Sequence, residues 1–228
     1  MNKRCYIAGA GEFCESRLPE HDDYIIAADG GYIALSKFGI TPDLIVGDFD
    51  SLKDDPELMQ TLSGHPNVIG SSVEKDDTDM MLAVRQGLKR GFSTFIINGG
   101  LGGRLDQTIA NIQILVYIAK KGASGVLYGK KENVTVIKDD AVILSPGESP
   151  NVVISVYCHG KKAKGVTLKG VKYPLDNAVL TNSYPIGTSN EFIGKNATIS
   201  VQKGILVIVY PGDAGIENEQ NGELNEKH

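Results

Sequence analysis

From the start of the chain to about Lys131, short uninterrupted apolar runs alternate with segments of helical period. Beyond that point the helical period stops. The runs Cys5–Ala8, Tyr24–Ala28, Leu44–Val46, Asn67–Ile69, Thr94–Asn98 and Gly125–Leu127 lack the apolar–polar alternation of a half-exposed strand. Each predicts a strand covered on both faces. Tyr32–Phe38, Thr78–Arg90 and Leu105–Lys121 lie between them and predict helices. The second has an apolar stripe through Met81, Val84 and Leu88, and the third through Leu105, Ile109, Ile112, Val116 and Ala119. Strand–helix–strand alternation predicts an α/β fold with a doubly wound, mostly parallel sheet over 1–131. Over 132–211, Val134–Ile137, Ala141–Leu144, Asn151–Cys158, Gly165–Leu168, Ala178–Thr181, Ala197–Val201 and Ile205–Tyr210 read as short strands punctuated by Gly, Pro, Asn and Asp. Such spacing predicts a small all-β sandwich or barrel, of which we take the sandwich. Residues 212–228 are polar and acidic and predict a frayed tail.

Composition narrows the partners. Twenty-three Lys and Arg against 28 Asp and Glu give a net charge of −5 over 228 residues. That argues against nucleic acid or an anionic membrane as the main partner, yet leaves room for phosphates held by metal ions and local Arg. Cys5, Cys14 and Cys158 are odd in number and lack CxxC spacing, so neither a disulfide frame nor a zinc site is expected. Buried or incidental thiols in a reducing cytoplasm are the expectation. Cys5–Ala10 is too short for the core of a secretion signal, and no window approaches the roughly 20 apolar residues that span a bilayer.

The turns after the strands carry the chemistry. Tyr24–Ala28 runs into Asp29-Gly30-Gly31, Leu44–Val46 into Gly47-Asp48-Phe49-Asp50-Ser51, and Phe95–Ile97 into a loop with four glycines, Gly99, Gly100, Gly102 and Gly103. Parallel strands place their carboxyl ends along one sheet edge, where ligands of open α/β sheets bind, so these turns should converge. In extended chain Asp48 and Asp50 point the same way. Two carboxylates about 4 Å apart repel by roughly 4 kcal/mol at an effective dielectric of 20, and a hard divalent cation such as Mg²⁺ removes that cost. The alternative is a solvated turn in which one Asp caps a backbone group.

Glu74-Lys75-Asp76-Asp77-Thr78-Asp79 opens the second helix. Capping and the helix dipole account for one or two of these acids, and Asp76 or Asp77 is assigned to the cap. Asp79 is then expected beside Asp48 and Asp50 at the metal. Glycines over 99–103 let backbone N–H groups reach phosphate oxygens next to a helix start, and Arg104 adds a forked donor. No Lys-Ser/Thr follows, so the loop is not a Walker A motif. Asp106 lies in the helix's first turn, where capping is an equal reading. Gly9-Ala10-Gly11-Glu12 falls short of GxGxxG and reads as a turn.

Taken in order, Asp29-Gly30-Gly31, Thr41-Pro42-Asp43-Leu44-Ile45-Val46-Gly47-Asp48-Phe49-Asp50-Ser51, Asp76-Asp77-Thr78-Asp79 and Gly99-Gly100-Leu101-Gly102-Gly103-Arg104-Leu105-Asp106-Gln107 resemble the bacterial thiamine pyrophosphokinases. Gly165–Gly170, Tyr173-Pro174-Leu175 and Gly187-Thr188-Ser189-Asn190-Glu191 extend the resemblance through the β-rich half. It implies a catalytic domain followed by a thiamine-binding β-domain, in a homodimer with active sites at the subunit interface. The implied reaction moves a diphosphoryl group from ATP to the thiamine hydroxyl and releases AMP. Asp48, Asp50 and Asp79 then look like Mg²⁺ ligands. Asp29, Thr78, Gly102, Gly103 and Arg104 look like ATP-phosphate contacts, Asp48, Asp50, Asp79, Arg104 and Asp106 like the catalytic residues, and Ser189 and Asn190 like thiamine contacts. The chain has no Trp to stack on thiamine, so Tyr184 or Phe192 is the nearest substitute, with core packing as the alternative. Two other classes compete: a metal-dependent phosphoesterase and a non-catalytic nucleotide or thiamine binder. The four His residues all lie outside the Asp motifs, which disfavours the first.

Overall fold

The computed structural model describes residues 4–47, 64–70, 77–148 and 152–217. The chain divides into two compact units, Met1–Lys130 and Lys131–His228.

In the first unit the described strands are β1 (Cys5–Ala8), β2 (Tyr24–Ala28), β3 (Leu44–Gly47), β4 (Val68–Gly70), β5 (Thr94–Asn98) and β6 (Ser124–Tyr128). They form a parallel sheet in the order β6-β5-β1-β2-β3-β4. β1 and β3 are buried along their whole length, whereas β4 at the edge is exposed or half-buried. The chain starts at β1, winds outward through β2 and β3 to β4, then returns to the other side of β1 as β5. The winding therefore reverses between β1 and β5, and their carboxyl ends open a crevice at that switch point.

Three helices are described in this unit: α1 (Gly31–Ser36), α2 (Asp79–Lys89) and α3 (Leu105–Lys120). The apolar stripes expected from the sequence are rotated. In α2 the buried residues are Met80, Ala83, Val84 and Gly87, while Met81 and Leu88 are half-buried. Gly87 sets this rotation, since a Cβ there would lie 2.6 Å from the Phe95 ring and 3.0 Å from Cys5 Sγ. In α3 the sheet-facing set is Asn111, Ile114, Leu115 and Ile118, together with Val116, and Leu105 and Ile109 are exposed. Two overlapping apolar stripes compete on this helix, and packing against β6 selects the one nearer its C-terminus. Burial pushes the Cys5 thiol up to about 12, which leaves it an inert core residue.

The second unit holds β7 (Glu132–Lys138), β8 (Ala141–Ser145), β9 (Val153–Lys169), β10 (Leu175–Thr181), β11 (Asn190–Glu191), β12 (Ala197–Ser200), β13 (Lys203–Pro211) and β14 (Gly215–Ile216). All pairings are antiparallel, in the order β14-β8-β12-β9-β13-β7, with β10 and β11 also on β9. No α-helix occurs among its described residues.

Two expectations are corrected here. Asn151–Cys158 and Gly165–Leu168 are not separate strands, because residues 153–169 form one 17-residue strand. Gly160 and Gly165, at φ 92° and 66°, mimic a turn in the sequence but form an irregular bend. There the β13 register jumps from Ile205–His159 to Lys203–Lys164. The chain is also ordered past residue 211. Gly215–Ile216 pair with Ser145–Leu144, Ala214 is fully buried, and Asn133 Nδ2 donates to the Pro211 and Gly212 carbonyls at 3.2 and 3.1 Å. Among the described residues no helix is long and apolar enough to cross a membrane.

Candidate active site at the carboxyl edge of the parallel sheet

A cavity of about 730 Å³ opens at the switch point. Gly9-Ala10-Gly11 after β1, Asp29 after β2, Thr78 and Asp79 at the start of α2, and Gly99–Arg104 after β5 reach it from four separate turns.

Close backbone packing shapes its floor. Gly9 N–H donates to Asn98 O at 2.7 Å, and Gly11 N–H to Gly99 O at 2.8 Å. Gly99 sits at φ 74°, and a Cβ on it would lie 2.3 Å from Gly9 O. We therefore expect Gly99→Ala to cost about 2 kcal/mol or more in stability. A denaturant midpoint equal to the parent's would contradict this close-approach role.

Most site residues anticipated from the sequence fall within the described residues. Asp29 follows β2 at φ 46°, a left-handed conformation, with its N–H donating to Val46 O at 2.8 Å, and it lines the cavity. Thr78 is the N-cap of α2, its hydroxyl accepting from Met81 N–H at 3.2 Å, and it also faces the cavity. The cap expected of Asp76 or Asp77 is thus made by Thr78. Asp77 instead accepts from the Arg85 guanidinium two helical turns along. Asp79 occupies the first turn of α2, where the dipole favours a carboxylate, and borders the same space. Gly102 and Gly103, at φ 75° and 69°, and Arg104 complete the wall. Asp48 and Asp50 lie outside the described residues.

Arg104 and Asp106 form a fork, Nε to Oδ1 at 3.1 Å with Nη2 on Oδ2, and both are exposed. The Arg104 hydrogen bonds hold the Asp106 carboxyl below the usual carboxylate range. The same pairing keeps the guanidinium within reach of the cavity, and an exposed ion pair exchanges partners at little cost.

In the second unit Ser189 is exposed at φ 57°, and its N–H donates to Ser155 Oγ at 3.1 Å. Asn190 is buried, and its amide clasps the Tyr173 backbone. Oδ1 accepts from Tyr173 N–H at 3.0 Å, and Nδ2 donates to Tyr173 O at 2.7 Å. The fold therefore occupies that side chain. Phe192 is core, 5% exposed, while Tyr184 is 69% exposed and Tyr173 57%. Of the two aromatics weighed from the sequence, only Tyr184 presents its ring to solvent.

Sequence reasoning missed three contributors. Gly9-Ala10-Gly11 lines the cavity although it fails the dinucleotide pattern. Asn98, fully buried at the end of β5, accepts from Cys14 N–H at 2.8 Å. Its Nδ2 faces Tyr6 Oη, Cys14 O and Arg17 O at 2.9, 2.8 and 3.0 Å. Asn111, in the second turn of α3, donates through Nδ2 to Gly100 O at 2.7 Å. A polar residue closing an apolar strand, and the polar pair Gln107 and Asn111 at i and i+4, were the signals available.

Among the described residues no three acidic, His or Cys side chains lie close enough to hold a metal ion. Those that border the cavity, Asp29, Asp77 and Asp79, supply hard oxygen donors of the kind Mg²⁺ takes.

Residues 16–127 match the thiamin pyrophosphokinase catalytic domain, and residues 141–206 match the thiamin pyrophosphokinase vitamin B1 binding domain. The chain is 31% identical over 188 residues to thiamine pyrophosphokinase of Bacillus subtilis (strain 168), covering 82% of this chain and 87% of that protein. The crystal structure of thiamine pyrophosphokinase from Bacillus subtilis overlays with a TM-score of 0.81 at 28% identity, covering 92% of this chain and all 100% of that one. That of thiamin pyrophosphokinase from Geobacillus thermodenitrificans gives 0.78 at 26% identity, covering 92% and 98%. With both domain types matched in order over most of its length, the chain belongs to the thiamin pyrophosphokinase family.

Proposed function

We propose that the chain is a thiamine diphosphokinase, which transfers an intact diphosphoryl group from ATP to the thiamine hydroxyl and releases AMP. The observation that carries this reading is the convergence of Asp29, Thr78, Asp79 and the Gly99–Arg104 loop on one cavity at the switch point, in a member of this family. Glycine N–H groups and Arg104 would provide donors for phosphate oxygens, and the carboxylates of Asp29 and Asp79 border the same cavity. The protein's own contribution is positioning. The acceptor oxygen must meet the β-phosphorus in line with the departing AMP, and turns braced by close backbone contacts hold that geometry.

Asp79, with Asp48 and Asp50, would hold Mg²⁺. Bound there, it would neutralise phosphate charge beside these carboxylates and polarise the transferred group. Arg104 leaves Asp106 for a phosphate oxygen, and Ser189 contacts thiamine from the β-rich unit. The finer fold reading belongs to the same proposal: a doubly wound catalytic domain over 1–131, a thiamine-binding sandwich over 132–211, and a homodimer with active sites at the subunit interface.

Purified protein given ATP, Mg²⁺ and thiamine should produce AMP and thiamine diphosphate in equal amounts. ADP with thiamine monophosphate would mean single phosphoryl transfer. Inorganic phosphate without a thiamine ester would mean hydrolysis. Either outcome rejects the reading.

A further inference from the structure

Asn111 lies on the cavity wall with one half of its amide spent and the other open. It is 7% exposed, borders the cavity, and donates through Nδ2 to Gly100 O at 2.7 Å. A carbonyl oxygen can only accept, so the NH₂ end must face Gly100 and the Oδ1 end is left over. Oδ1 has no protein partner among the described residues, and it is not among their sealed-off polar atoms. Gln107, one turn earlier on the same helical face, also lines the cavity, so α3 turns a polar stripe toward the ligand space. Facing the open cavity, that oxygen is available to a donor on a bound ligand.

We propose that Asn111 is a substrate-contacting specificity residue, whose side-chain oxygen accepts a hydrogen bond from a substrate hydroxyl while its amide pins the glycine loop. The ligand group must carry a proton, which phosphate oxygens of ATP at neutral pH do not, and a hydroxyl is the donor nearest the phosphates that the Gly99–Gly103 loop would hold, nearer than the amino groups of adenine or thiamine. On the proposed function, on which this inference rests, such hydroxyls come from two sources: the ribose of the nucleotide and the alcohol of thiamine. In either case Asn111 makes the site discriminate against an analogue lacking that hydroxyl.

The test compares affinities by calorimetry, with Mg²⁺ present and one substrate at a time, so it does not depend on turnover. The nucleotide arm sets ATP against 2′-deoxy-ATP and 3′-deoxy-ATP. The vitamin arm sets thiamine against its analogue with ethyl in place of hydroxyethyl. The parent protein should favour the hydroxyl-bearing ligand at least about tenfold in one arm, the worth of one well-made hydrogen bond. In Asn111→Leu that ratio should fall to within about twofold of one, whatever happens to overall affinity. Asn111→Asp keeps acceptor oxygens but cannot donate to Gly100, so it should weaken both members of the pair and preserve the ratio.

A purely structural role would weaken each pair equally in Asn111→Leu and leave the ratio intact, which would overturn the proposal. So would a parent protein with no hydroxyl preference in either arm, a result readable even if the Leu variant does not fold. Failure of the diphosphokinase reading shows separately, as absence of AMP and thiamine diphosphate from the parent.

Discussion

Asp79→Asn is expected to lower turnover at least about a hundredfold, close to 2.7 kcal/mol of lost transition-state stabilisation. Asn has nearly the same shape but no charge, so the cavity keeps its form and loses a hard anionic donor. The competing account makes Asp79 a helix-start residue only. Its contribution through the dipole of α2 is then about 0.3–1 kcal/mol of stability, and turnover is untouched. Steady-state kinetics with ATP and thiamine, beside a thermal melt, separate the two. A variant with a slightly lower melting temperature and a kcat within threefold of the parent's would remove Asp79 from the catalytic machinery.

The second large effect is structural and reaches function through a loop. Asn98→Leu keeps the branching at Cγ at the end of β5 but strips the buried Cys14 N–H of its acceptor, and Tyr6 Oη, Cys14 O and Arg17 O of their shared donor. The Tyr6 hydroxyl still donates to Arg17 O at 2.9 Å, and burial pushes its phenol well above the usual value, so it stays protonated. One buried donor left unpaired costs about 1–3 kcal/mol, and the whole network on the order of 3 kcal/mol. For a chain this long that lowers the melting temperature by roughly 6–12 °C. Gly9-Ala10-Gly11 begins the same loop, so the Michaelis constant for ATP should rise as well. Unfolding within about 2 °C of the parent would show that water replaces the amide without loss.

What could be read from residues alone follows from the range of the forces involved. β1, β2 and β5 have the boundaries their apolar runs predict, because a strand buried on both faces must be apolar throughout. The place of the site was legible for a topological reason: parallel strands deliver their following turns to one edge, and Asp29, Thr78, Asp79 and Arg104 do line one cavity there. Helix orientation was not legible. The period reveals a stripe, but α3 carries two, and only contact with β6 chooses between them. The long strand β9 was split because positive-φ glycines serve bends as readily as turns. Asn98 and Asn111 escaped because a single polar residue has no period, and its partners sit far away in sequence. Asp48 and Asp50, the pair that first suggested a metal, lie outside the described residues.

The central claim is that the acidic turns and the glycine loop form one compartment for a metal-bound triphosphate. The most direct measurement is a crystal structure with Mg²⁺, a nonhydrolysable ATP analogue and thiamine. We expect the cation bonded to carboxylates of Asp48, Asp50 and Asp79, and phosphate oxygens accepting from the backbone N–H groups of 99–103. Triphosphate density away from the carboxyl ends of β1 and β5, or a cation held by none of these carboxylates, would contradict the account.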